Sequence, residues 1–166
     1  MPRCETSEAR VTHPAPALHA LQARVGHYAG HGINHEDEPF HAELHVASLD
    51  DQTGVTLHYR AVGIDGTVYH DERTWIAQDE GGQLALWSIH TNGAGVRKHM
   101  HRHGANAAGA LLTLVFGHGN PLDTTCYRQE VAVDLWPQGE LSYRYAWGLP
   151  GGDHRPRSSV RLKPTS

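Results

Sequence analysis

The sequence is short of the residues on which several common functions depend. Only two of its 166 residues are cysteine, Cys4 and Cys126. That is too few for a disulfide framework or a thiolate metal site, and redox chemistry is not indicated. Lysine is equally scarce, at Lys98 and Lys163, and the 14 basic residues are scattered through a chain of net charge −4. Such a pattern offers no footprint for a nucleic-acid backbone. No apolar run approaches the roughly 18 residues of a membrane span, so no transmembrane helix is expected. Met1 to His13 holds no apolar stretch that would serve as a secretion signal, and a cytoplasmic location is the expectation. Ser48, Ser88 and Ser142 lie in no Gly-x-Ser-x-Gly elbow, and Gly93-Ala94-Gly95 lacks the Gly-Lys-Ser/Thr ending of a phosphate loop. No catalytic set is assigned.

What the chain has in excess is histidine, 15 residues. Arginine heavily outnumbers lysine, as in a chain encoded with a strong G and C bias, and histidine can rise for the same reason. Whatever its origin, so much imidazole turns the net charge toward positive just below neutrality. Solubility and self-association then become pH dependent, and a homodimer or other assembly formed through strand edges is one reading.

Residues 1–14 show no periodicity and read as a tail, with residues 15–166 as a single β-barrel domain. Leu18, Leu21 and Val25 recur at helical spacing, which predicts a short amphipathic helix over 15–25. Beyond Gly26 the period changes to two. About ten segments rich in β-branched and aromatic residues follow, near 26–33, 40–49, 54–63, 67–77, 83–90, 95–102, 109–117, 124–135, 140–147 and 157–163. Turn signals such as Asp50-Asp51-Gln52-Thr53-Gly54, Asp65-Gly66, Glu80-Gly81-Gly82 and Pro137-Gln138-Gly139 separate them. Consecutive tight hairpins make an antiparallel meander, and closure removes its exposed edges. The expected fold is therefore an all-β, antiparallel up-and-down barrel of about ten strands with a short N-terminal helix.

Gly26-His27-Tyr28-Ala29-Gly30-His31-Gly32 follows the helix directly and opens the first strand. This Gly-x-aromatic-x-Gly-x-Gly pattern resembles the start of a calycin-type barrel. Lipocalins, fatty-acid-binding-protein-like barrels and nitrobindin-like haem proteins carry Gly-x-Trp there, and Tyr28 stands in place of that Trp. Glu72-Arg73-Thr74-Trp75 is similar to an Arg-Thr-Trp stretch of nitrobindin-like barrels. The chain departs from the haem group in two places. Ile33-Asn34-His35-Glu36 replaces a Tyr-Pro, and His154 sits in a loop where an axial ligand would lie on the last strand. The resemblance implies an internal cavity for a small hydrophobic or amphipathic molecule. Its implied wall residues are Tyr28, Trp75 and, as in fatty-acid-binding barrels, arginine and tyrosine holding a ligand carboxylate: Arg73, Arg128, Tyr143 and Tyr145. The same arginines read equally well as partners in surface ion pairs, since each shares a strand face with an acid.

An alternative is a histidine-rich barrel holding a divalent metal or haem, with enzymatic activity open. His99, His101 and His103 alternate along a strand, which puts the three imidazoles on one face about 6 to 7 Å apart. His41, Glu43 and His45 do the same on an earlier strand, where neutral imidazole beside carboxylate is a good donor set for zinc or iron. Both sets also read as polar outer faces.

Overall fold

The computed structural model describes residues 16–49 and 53–165. The expected tail over 1–14, Cys4 and the tip of the turn at residues 50–52 lie outside the described residues. Helix α1 (Pro16–Gln22) precedes ten strands: β1 (Gly26–Asn34), β2 (Pro39–Ser48), β3 (Gly54–Gly63), β4 (Val68–Gln78), β5 (Leu84–His90), β6 (Arg97–Arg102), β7 (Leu112–His118), β8 (Arg128–Leu135), β9 (Leu141–Gly148) and β10 (Arg155–Pro164). Each strand pairs antiparallel with its chain neighbours, and β1 pairs with β10 to close the barrel.

Period-two patterning explains the arrangement. On β2, Phe40, Ala42, Leu44 and Val46 are buried in the barrel, while Glu43 and His45 face out. On β5, Leu84, Leu86, Ser88 and His90 point inward, and on β9 Leu141, Tyr143 and Tyr145 do. Glycine permits the seam. A Cβ on Gly30 would lie 2.1 Å from the Arg161 carbonyl oxygen, and one on Gly32 would lie 2.5 Å from Phe40, so β1 passes β10 closer than any side chain would allow.

The helix is shorter than its spacing predicts. It ends at Gln22, the chain tightens through an Arg24 N–H to Leu21 carbonyl bond, and Gly26 takes a φ of 150°. Val25 consequently leaves the apolar face and is exposed, while Leu18 and Leu21 are fully buried against one end of the barrel. Tyr28 is buried beside them and donates its hydroxyl to the Arg24 carbonyl at 2.7 Å. The helix covers part of this end. At the opposite end, where the odd-numbered strands finish, the interior also opens.

Candidate functional site

At the open end the interior is hollow. A cavity of about 310 Å³ is walled by Phe40, Tyr59, Tyr69, Tyr127, Tyr145 and Trp147, with His35, His70, His90, Asn92 and Arg157 supplying polar groups. Its volume falls at the small end of ligand sites.

Beneath it lies a polar network built on β4. Glu72 is fully buried. Its Oε2 accepts from His70 Nε2 at 2.8 Å and from the Tyr143 hydroxyl at 3.1 Å, and its Oε1 accepts from the Thr74 hydroxyl at 3.1 Å. Asn92 Nδ2 donates to the Tyr69 carbonyl at 2.7 Å and approaches His70 Nδ1 at 3.4 Å. The amide nitrogen can only donate, so Nδ1 accepts and the His70 proton sits on Nε2, aimed at Glu72. Burial would raise the Glu72 pKa, but the His70 hydrogen bond, the His70 and His90 charges and the Tyr143 hydroxyl together hold it below the ordinary value. The neighbouring phenols respond oppositely. Burial, reinforced by the Glu72 charge, pushes Tyr59, Tyr143 and Tyr145 upward, so all three remain protonated donors.

His90 stacks on His70 with ring centroids 5.1 Å apart. It is 9% exposed, and its buried Nδ1 has no hydrogen-bond partner. Burial, the neighbouring His70 and Arg97 depress its pKa against the opposing pull of Glu72, so the ring is neutral at pH 7. Deeper in, the Gln129 side-chain amide donates to the Tyr145 hydroxyl, and its Oε1 accepts from His99 Nε2 and Arg97 Nη1, each at 3.1 Å. His99 Nδ1 and Ser88 Oγ, both enclosed, are also unpartnered. Three orphaned polar atoms on the inner faces of β5 and β6 are a departure from the usual rule that buried polar groups are satisfied.

Of the wall residues implied by the resemblance, Tyr143 and Tyr145 point into this interior, Tyr145 lining the cavity itself. Tyr28 is buried at the opposite end, bonded to the Arg24 carbonyl. Arg73 and Trp75 face outward, because the inward positions of β4 are taken by Glu72, Thr74 and Ile76. The reason is register: Tyr59, Leu57 and Val55, the inward residues of β3, pair with those three. Arg128 is buried outside the sheet, where its guanidinium bonds the carbonyls of Cys126, Leu149 and Gly152 and pins the 149–154 loop.

The histidine sets are also divided. His99 lies inside, with the His118 ring 5.8 Å away, whereas His101 and His103 are 5.0 Å apart near the helix end. They border a second hollow of about 1060 Å³ between the helix and the strands, lined also by Ala20, Leu84 and Leu114. His41, Glu43 and His45 lie on the outer face, where His45 stacks on His27 at 4.1 Å and His41 meets His31 edge-on. Among the described residues no group of three His, Cys, Asp or Glu side chains is placed to hold one metal ion. Haem fits poorly. The cavity is small for a macrocycle, and the His154 backbone lies over Gly148 on the outside of the barrel, away from the cavity wall.

His70, Glu72, His90 and Arg157 were not singled out by sequence. For His70 and Glu72 the deciding relation is the pairing of β4 with β3, which fixes the face that turns inward.

The sequence matches no protein-family model and no curated protein. Among solved structures the barrel resembles the crystal structure of Rv2717c from M. tuberculosis, with a TM-score of 0.64 and 17% sequence identity over 92% of this chain and 99% of that one. The likeness is one of fold. No helix among the described residues is long and apolar enough to cross a membrane.

Proposed function

We propose that the protein is a calycin-type binding barrel that holds a small hydrophobic or amphipathic molecule in the cavity at its open end. The observation that carries this reading is a hollow of about 310 Å³ whose wall is mostly aromatic and includes the nine-tenths buried His90 with an unpartnered nitrogen. An apolar hollow with a few convergent polar groups is the usual form of a ligand site. Leaving a buried imidazole nitrogen unpaired costs about 1 to 3 kcal/mol, a cost more readily borne at a functional site. Tyr143 and Tyr145 serve this reading from inside. Tyr28, Arg73, Trp75 and Arg128 serve as closure, surface and loop clamp.

Comparing the mass of the purified protein under native and denaturing conditions tests it. An excess of a few hundred daltons that leaves on denaturation is expected. Ala61 lines the cavity, and Ala61→Trp should abolish the excess while the barrel still melts cooperatively. Equal masses for the wild type, together with no ligand-induced rise in Tm across a screen of aromatic and lipid compounds, would remove the reading.

A further inference from the structure

The wall of this cavity carries one cation, a guanidinium, and no anion. Arg157 and three imidazoles, those of His35, His70 and His90, line it, and no Asp or Glu side chain does. Glu72 is sealed below, both of its oxygens engaged by His70, Thr74 and Tyr143. Aromatic walls also recognise organic cations. Here, however, two of the aromatic faces already carry the protein's own cations. The Arg157 guanidinium lies 3.9 Å from the Trp147 ring centre, and the Arg97 guanidinium lies 4.7 Å from that of Tyr127. A ligand cation would be repelled by both.

Arg157 is placed at the rim by a local irregularity. The register between β9 and β10 shifts between Pro156 and Ser158, and residues at such bulges are re-aimed relative to the regular strand. Its Nε donates to the Trp147 carbonyl at 3.2 Å and its Nη2 reaches the Asp153 carbonyl at 3.5 Å, while Nη1 has no partner among the described residues. Burial and the nearby Arg155 press its pKa below the ordinary guanidinium value, against the opposing charge of Asp153. His35, edge-on to Trp147 at 5.6 Å, and Ser158 share the rim.

We propose that the cavity selects a small aromatic acid, its ring among Tyr59, Tyr145 and Trp147 and its ionised carboxylate on Arg157 at the rim. This rests on the interior being a ligand site and adds the chemical class of the ligand. A guanidinium and a carboxylate make a charge-assisted, directional pair, which an amide of the same shape cannot reproduce.

Calorimetric titration of the full chain with three probes that share one ring system separates the possibilities. The probes are naphthalene-1-carboxylate, naphthalene-1-carboxamide and 1-naphthylmethylammonium. The carboxylate should bind at least about ten-fold more tightly than the amide, with the ammonium weakest. Arg157→Gln should bring the carboxylate's affinity down to that of the amide, and Arg157→Lys should restore part of the difference, with thermal melts confirming that both variants fold. An amide as tight as the carboxylate, an ammonium tighter than either, or a preference that survives Arg157→Gln would overturn the acid selectivity while leaving interior binding in place. Failure of all three probes to bind would overturn the selectivity and count against the interior site as well.

Discussion

Glu72 and His70, two residues apart on the inner face of β4, are joined by a 2.8 Å hydrogen bond from Nε2 to Oε2 inside the barrel. The bond sets the tautomer of His70, and with it the surface that the His70 and His90 stack presents to the cavity. It also makes the carboxylate the centre on which Thr74 and Tyr143 converge.

Removing that centre should be costly. Glu72→Ala strands three buried donors and should destabilise the barrel by about 3 to 5 kcal/mol, against about 1 kcal/mol for Tyr143→Phe, which deletes one donor. Urea unfolding measures both. Equal losses for the two variants would mean that the carboxylate is not the hub of the network.

Stability should fall on the acid side in two stages. Burial holds His90, His99 and His101 below the ordinary value of 6.5 in the folded protein. Below that value the unfolded chain binds more protons than the folded one, so the stability they support is present above pH 6.5 and is lost as pH falls through their folded values. Glu72, held below 4.5 when folded, supports stability above pH 4.5 and gives it up at lower pH. Melting temperatures between pH 8 and pH 5 should therefore decline before any carboxylate titrates. His99→Gln, which cannot ionise, should flatten the decline by a few degrees. A melting curve indifferent to pH over that range would contradict the neutral burial of these rings.

The β1 and β10 seam tolerates no side chain at Gly30. Gly30→Ala would press a Cβ against the Arg161 carbonyl, and the backbone must part to admit it. A loss of about 1 to 3 kcal/mol is expected, with faster amide exchange along β10 than along β5. Uniform exchange would show that the seam relaxes without opening.

Arg128 should behave as a structural clamp. Arg128→Met keeps the buried stem but leaves the carbonyls of Cys126, Leu149 and Gly152 without their donor. Limited proteolysis should then cut near residues 149–154, with probe binding in the cavity little changed. Loss of binding without new cleavage would assign Arg128 a direct role at the ligand.

The barrel was legible in the sequence because local chemistry dictates it. Period-two alternation, Gly-rich turns and the glycines at 30 and 32 specify ten antiparallel strands, and the aromatic face of β9 was readable from Leu141, Tyr143, Tyr145 and Trp147, though not that it turns inward. Which face of β4 looks inward was not. Tyr69, Asp71, Arg73 and Trp75 alternate as convincingly as His70, Glu72, Thr74 and Ile76. The tie is broken only by pairing with β3, where Tyr59, Leu57 and Val55 must stay in the core. Arg157 was hidden for a related reason, since a bulge aims it where simple alternation would not. Sequence by itself thus determined the strands, their order and closure, because hydrogen-bonding periodicity and turn chemistry are properties of neighbours in the chain. Tertiary structure alone decided which histidines, carboxylates and arginines meet, because burial and charge pairing depend on residues brought together from different strands.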